Sequence, residues 1–180
     1  MTGMEKIGVV LAGHGVPATD CPPQWVGELM ALQFGGTGHG HAHGNGAPLT
    51  GRAAELDAKI RNWPRRADND PYKAGLERLA AVLRPLLGDA LFIIGYNEFC
   101  GPTVPEAIGE MIRQGASRVL VIPSMLTPGG LHSEKDIPRS IQQVQALHPA
   151  VSIEYLWPFD LTEIASLLAR HIQRAGKVVG

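Results

Sequence analysis

Four short apolar runs, each broken by glycine, proline or a polar turn, constrain this chain more than any other feature: residues 6–12, Ala90–Tyr96, Arg118–Pro123 and Val151–Leu156. The first is rich in Val and Ile and bounded by glycines, the pattern of a strand buried on both faces. Stretches with helical spacing separate the runs. Pro22 and Pro23 start one that reaches about Phe34, and Arg52–Asn62 suits a short second. Tyr72–Leu87 repeats Leu76, Leu79, Ala80, Leu83 and Leu87 at helical spacing, with Pro85 able to end it early. Thr103–Gln114 has Thr103 as its N-cap, Pro105 in its first turn and Gly115 as its stop. Ser133–Leu147 carries Pro138 in its first turn or at a kink, and Leu161–Ala175 places Ile164, Leu167, Leu168 and His171–Ile172 near one face. Strand and helix alternate, so the expected class is α/β: a four-stranded parallel sheet with helices on both faces, a three-layer sandwich. Strand order 2-1-3-4 is expected by analogy with flavodoxin-like sheets.

The chain has 180 residues, enough for a single domain over 1–180 with a real core. It is 44% hydrophobic and 18% charged, which is globular rather than disordered. A net charge of −1 argues against a general nucleic-acid partner. Cys21 and Cys100 are the only cysteines, too few for a disulfide framework, and a reducing cytoplasm is the expected setting. No segment reads as a signal peptide or membrane span. One stretch departs from this pattern: Gly35–Gly51 is a low-complexity His/Gly-rich segment unable to build a core, expected to be a flexible loop.

In an open parallel sheet the loops after the strands emerge on one edge, where ligands bind. Three chemistry-bearing residues fall there. His14 lies in Gly13-His14-Gly15 after the first strand, with glycines that let backbone approach a ligand closely. Glu98 follows the second strand beside Phe99, so its carboxylate is poorly solvated and suited to proton transfer, or else a charge favoured by the helix that follows. His132 ends Gly129-Gly130-Leu131-His132 after the third. Two imidazoles and a carboxylate make a ligand set for a divalent transition metal, an acid–base set, or both. His39, His41 and His43 alternate with Gly and Ala, a spacing suited to a loose accessory site for metal collection. Cys21 and Cys100 are each either a soft ligand or a buried free thiol. Arg113, Arg118, Lys135 and Arg139 flank the rim in sequence; ordinary helix-surface charge is the preferred reading for Arg113 and Arg118.

Four segments together carry a resemblance: Leu11-Ala12-Gly13-His14-Gly15; Asn97-Glu98-Phe99-Cys100-Gly101-Pro102-Thr103-Val104-Pro105-Glu106-Ala107-Ile108; Gly115 to Pro123; and Gly130-Leu131-His132-Ser133-Glu134-Lys135-Asp136-Ile137-Pro138-Arg139. Over roughly 6–15 and 90–172 the chain resembles the class II tetrapyrrole chelatases, the sirohydrochlorin cobalto-, ferro- and nickelochelatases of the CbiX/SirB type. The resemblance implies a chelatase-like fold and a metal chelatase, a lyase of cobalamin and siroheme biosynthesis, with Co²⁺ first and Fe²⁺ or Ni²⁺ as other substrates. It implies His14 and His132 as the metal-handling pair, with Glu98 a carboxylate near the metal path. One copy of each motif implies the short type, a homodimer.

Two departures stand out. Val16-Pro17 follows Gly-His-Gly where family members usually carry Ser-Arg, and residues 16–89 are longer than short members need, an insertion able to reshape or cover the pocket. The expected mechanism lays a tetrapyrrole above the strand ends. Gly13, Gly15, Gly130 and Leu131 line it, and its carboxylates meet Lys135 or Arg139. The metal is partly stripped of water by neutral His14 and His132, and Glu98 or an imidazole takes protons from the pyrroles. No organic cofactor, nucleic acid or membrane is required. The rival expectation is a metal-storage or delivery protein on the same fold, or a chelatase for another tetrapyrrole.

Overall fold

A computed structural model of the protein describes residues 5–34 and 49–176; His39, His41 and His43 lie outside the described residues. The elements run β1 (Ile7–Gly13), α1 (Pro23–Phe34), α2 (Gly51–Arg61), α3 (Pro71–Leu83), β2 (Leu91–Tyr96), α4 (Val104–Arg113), β3 (Arg118–Pro123), α5 (Ile137–Leu147), β4 (Ser152–Tyr155) and α6 (Leu161–Arg174). Among the described residues the four strands pair in parallel in the order β2-β1-β3-β4, the expected order.

The alternation of side chains along each strand divides the core between the two faces. Val10 and Ala12 of β1, with Val119 and Val121 of β3, pack against Val104, Ala107, Ile108 and Met111 of α4 and Ile137, Ile141 and Val144 of α5. Leu11, between them, turns to the other face and joins Phe92, Ile94 and Ile122 under Leu76 and Ala80 of α3. Helices therefore cover both faces. A third cluster, built from Ala18, Cys21, Leu29, Leu56 and Ile60, lies within the long stretch after β1 and takes in Phe99 from beyond β2. Residues 16–89 thus supply α3, which covers one sheet face, and a small second core tied to the loop after β2.

Local chemistry explains most boundaries. Thr103 caps α4 with a capping box: its side chain accepts from the Glu106 N–H, and the Glu106 side chain accepts from the Thr103 N–H. Asp70 caps α3 by accepting from the Lys73 N–H. Pro85 ends α3 at Leu83, and the chain continues as a 3₁₀ turn over Arg84–Leu87. The stretch from Ser133 is not regular α-helix at first. It opens as a π-helical turn over His132–Asp136, in which the Ile137 N–H donates to the His132 carbonyl, and α5 begins only at Ile137. The expected apolar face of α6 is present, yet no residue of α6 is buried. Among the described residues no helix is long and apolar enough to cross a membrane.

Candidate metal centre

The register of the sheet brings His14 and Glu98 together. Parallel pairing sets Gly13 of β1 level with Tyr96 of β2. The ladder then runs past both strand ends: the Asn97 N–H donates to the Gly13 carbonyl at 3.0 Å and the Glu98 N–H to the His14 carbonyl at 2.9 Å. The Tyr72 hydroxyl, from the first turn of α3, accepts the His14 N–H at 2.8 Å. Both glycines beside His14 make room for the protein itself. A Cβ on Gly15, whose φ is +86°, would collide with the Glu98 carbonyl, and one on Gly13 with a methyl of Leu76. The close approach expected toward a ligand is, at these two positions, an approach to the chain's own neighbouring segments.

His132 reaches the same place from β3. The π-helical turn carrying it is held by four hydrogen bonds. The Ser133 hydroxyl donates to the Gly130 carbonyl at 3.0 Å, and the Tyr155 hydroxyl donates to the Ser133 carbonyl at 2.9 Å. Glu134 Oε1 accepts from the Gly129 N–H at 3.0 Å and from the Trp157 indole at 3.2 Å. Gly130 and Leu131 therefore form the entry to the turn, with Leu131 half-buried.

The three side chains meet. The rings of His14 and His132 stand edge to face, 4.4 Å between centroids. His132 Nε2 lies 4.0 Å from Glu98 Oε1. One ligand atom from each of His14, Glu98 and His132 can be chosen so that all lie within 4.8 Å of one another. The remaining ring nitrogens fix the tautomers. His14 Nδ1 lies 2.6 Å from the Gly15 carbonyl, which can only accept, so Nδ1 carries the proton and Nε2 keeps its lone pair. His132 Nδ1 lies 2.8 Å from Asp136 Oδ2, so its proton sits there and Nε2 faces Glu98. Metal–nitrogen bonds of ~2.0–2.1 Å at tetrahedral angles would set ligand atoms ~3.4 Å apart, so modest closure suffices to grip an ion. Three protein ligands leave at least one position open, the arrangement of sites that pass a metal or bind a substrate. A mixed imidazole and carboxylate set suits Co²⁺, Fe²⁺, Ni²⁺ and Zn²⁺ alike.

The other sequence candidates lie elsewhere. Cys21 is buried in the third cluster and Cys100 beneath α3. Burial pushes both thiols up, away from the thiolate a metal needs. Arg118, at the start of β3, sits at the opposite sheet edge and pairs bidentately with Glu154, and Arg113 pairs with Glu110. Lys135 is exposed on the π-helical turn, while Arg139, in the first turn of α5, is half-buried and already engaged. Sequence reasoning missed Asp136 as a partner of His132, although it stands four residues on in a motif singled out for other reasons. It also missed Arg61 and Arg65. The Arg61 guanidinium donates to the Cys100 carbonyl at 2.8 Å, and that of Arg65 to the carbonyls of Val16 and Phe99. No local pattern marks either arginine.

Comparison with known proteins identifies the family and the fold. The CbiX family model matches residues 67–175. That match begins just ahead of α3, and β1 with His14 joins the rest through its hydrogen bonds to β2 and β3. A sirohydrochlorin cobaltochelatase of Methanocaldococcus jannaschii is 42% identical over 55 residues, 31% of this chain and 38% of that protein. A sirohydrochlorin ferrochelatase of Priestia megaterium is 34% identical over 104 residues, 57% of this chain and 37% of that protein. The matched segments thus span less than half the length of these two relatives. Among solved structures, SirB from Bacillus subtilis with Fe³⁺ superposes with a TM-score of 0.57 at 18% identity, covering 97% of this chain and 48% of that one. A CbiX protein of Marinobacter aquaeolei gives 0.54 at 18% identity, covering 94% of this chain and 96% of that one. Both show a shared fold.

Proposed function

The chain belongs to the CbiX family, and from that premise we propose that it is a metal chelatase inserting a divalent ion into sirohydrochlorin or a related tetrapyrrole. Co²⁺ is the first candidate, with Fe²⁺ and Ni²⁺ after it, in keeping with the cobalto- and ferrochelatase relatives. The observation that carries this reading is the convergence of His14, Glu98 and His132 at the strand ends, with the two Nδ1 atoms against the Gly15 carbonyl and Asp136 Oδ2. The expected setting is the cytoplasm, where free thiols such as Cys21 and Cys100 persist.

The chemistry follows from the residues. A hydrated M²⁺ exchanges water for the Nε2 atoms of His14 and His132, which removes part of its hydration shell before the macrocycle is engaged. The Asp136 carboxylate behind His132 holds the ring in place and strengthens it as a donor. The macrocycle approaches the open side over Gly130 and Leu131, with Lys135 and Arg139 near its carboxylates. Metal–pyrrole bonds form as two N–H protons leave: Glu98 accepts one, and an imidazole freed as the ion moves off accepts the other. Acid opposes every step, because an imidazolium cannot ligate and a carboxylic acid cannot take the proton. No organic cofactor enters this scheme. A second copy of the chain is the proposed partner, because among the described residues nothing buries the apolar face of α6.

The test is an anaerobic optical assay with sirohydrochlorin and Co²⁺, Fe²⁺ or Ni²⁺, run on the wild-type chain, H14A and H132A. The wild-type chain should convert the free macrocycle to its metal complex faster than protein-free controls, and each variant should lose at least ~10²-fold of that acceleration. Insertion undiminished in both variants overturns the mechanism. Tight metal binding without acceleration points to a carrier or to another tetrapyrrole.

A further inference from the structure

Arg65 sits in the turn between α2 and α3, in Trp63-Pro64-Arg65-Arg66, and its side chain is 8% exposed. Burying a guanidinium is costly unless its donors are met. Here Nη1 donates to the Val16 carbonyl at 2.7 Å and to Asp70 Oδ2 at 2.6 Å. Nη2 donates to the Ile60 carbonyl at 3.1 Å and to the Phe99 carbonyl. Nε is buried with no partner among the described residues. One planar group therefore joins three backbone segments that are remote in sequence.

Two of those segments carry the metal ligands. Val16 is two residues after His14, and Phe99 follows Glu98 directly. Phe99 also holds a φ of +53°, a left-handed conformation that a bulky residue adopts only where its surroundings enforce it. The guanidinium at its carbonyl is one such constraint, and the packing of its ring in the third cluster is another. The anchor behind Arg65 is rigid: Asp70 is 1% exposed and caps α3, and Tyr72 in the same turn accepts the His14 N–H. The start of α3 thus holds the His14 segment twice, once directly and once through Arg65.

We infer that Arg65 is a positioning residue that sets the spacing of His14 from Glu98, and so the geometry in which the site grips its metal ion. This rests on the reading of His14, Glu98 and His132 as the metal-handling set. A lysine cannot replace it. An ammonium on a single flexible stem offers three donors from one point, whereas the guanidinium fork spans two carbonyls, a carboxylate and α2 at once.

The experiment is a Co²⁺ titration of the full chain as wild type, R65K and H14A, followed by visible d–d absorption, with a thermal melt of each. R65K retains the charge beside Asp70 and is expected to melt cooperatively. Its Co²⁺ affinity should fall by about 10–100-fold, the usual effect of losing a group that orients metal ligands, and its d–d band should change shape. A folded R65K with wild-type affinity and spectrum, beside an H14A that has lost Co²⁺, overturns the role of Arg65 alone. An H14A that binds Co²⁺ like the wild type overturns the metal set itself. If R65K melts without a cooperative transition, the wild-type chain decides. By linkage, a group that stabilises the loaded site is stabilised by loading, so Zn²⁺ should slow hydrogen exchange at the Arg65 guanidinium. Unchanged exchange overturns the inference.

Discussion

His132 uses both ring nitrogens, and the division of labour depends on Asp136. Its Nδ1 proton rests on Asp136 Oδ2 at 2.8 Å, and that contact leaves Nε2 as the only lone pair and aims it at the Glu98 side. D136A removes the acceptor while leaving the π-helical turn its contacts to Gly130, Tyr155 and Trp157. Without it the imidazole can rotate and change tautomer. Co²⁺ affinity of D136A should fall about 10–100-fold while far-ultraviolet circular dichroism stays that of the wild type; a Co²⁺ titration at fixed pH reads it. His14, Glu98 and His132 were legible in the sequence because each follows a recognisable strand, and parallel strands deliver their ends to one edge. Asp136 stands in the same motif as His132, with nothing in the sequence to mark its role. In an α-helix any residue four on is a neighbour, and nothing in the sequence marks the π-helical turn that here brings the two together. Arg65 was illegible for a different reason: its partners are backbone carbonyls of Val16, Ile60 and Phe99, and carbonyls leave no trace in side-chain identity.

At the scale of elements, the strands and most helices followed from short apolar runs and their stops, because burial on both faces demands unbroken apolar residues and turns demand Gly or Pro. The start of α4 shows how local such a signal is. Thr103 and Glu106 satisfy each other's backbone N–H groups at 3.3 and 2.7 Å, reciprocal bonds that need only the four-residue spacing. T103A leaves the Glu106 N–H to water and should cost about 1 kcal/mol, within the ~0.5–2 range for lost caps. Urea unfolding should show a lower midpoint with an unchanged slope. What the pattern did not reveal was how the elements after β1 divide. The helical spacing of α1, α2 and α3 was readable, but the sorting of α3 onto the sheet, and of α1 and α2 into a separate cluster with Phe99, is decided by contacts between distant residues. The same limit applies to α6, whose amphipathic period says that a face is apolar without saying what lies against it.

For the whole molecule, that uncovered face is the decisive feature. Leu161, Leu167, Leu168 and Ile172 are each about half exposed among the described residues. Monomers seldom leave so continuous an apolar stripe in water. The pairing proposed above gives it a second copy of this chain as its occupant. In a two-fold pair each residue occurs once per protomer, so a single substitution acts twice. Fully burying a leucine is worth ~1.5–3 kcal/mol, and Leu168 is 53% exposed, so losing it from both protomers removes roughly 1.5–3 kcal/mol, about one to two decades in dissociation constant at ~1.4 kcal/mol per decade. L168E also places a carboxylate on each side of the contact, which adds desolvation and like-charge repulsion. Sedimentation velocity should therefore show a dimer for the wild-type chain at micromolar concentration and a monomer for L168E, with Co²⁺ binding per chain retained because α6 contributes no ligand to the metal set. A wild-type chain that stays monomeric across that range removes the second copy from the scheme and leaves the α6 face to another part of the assembly.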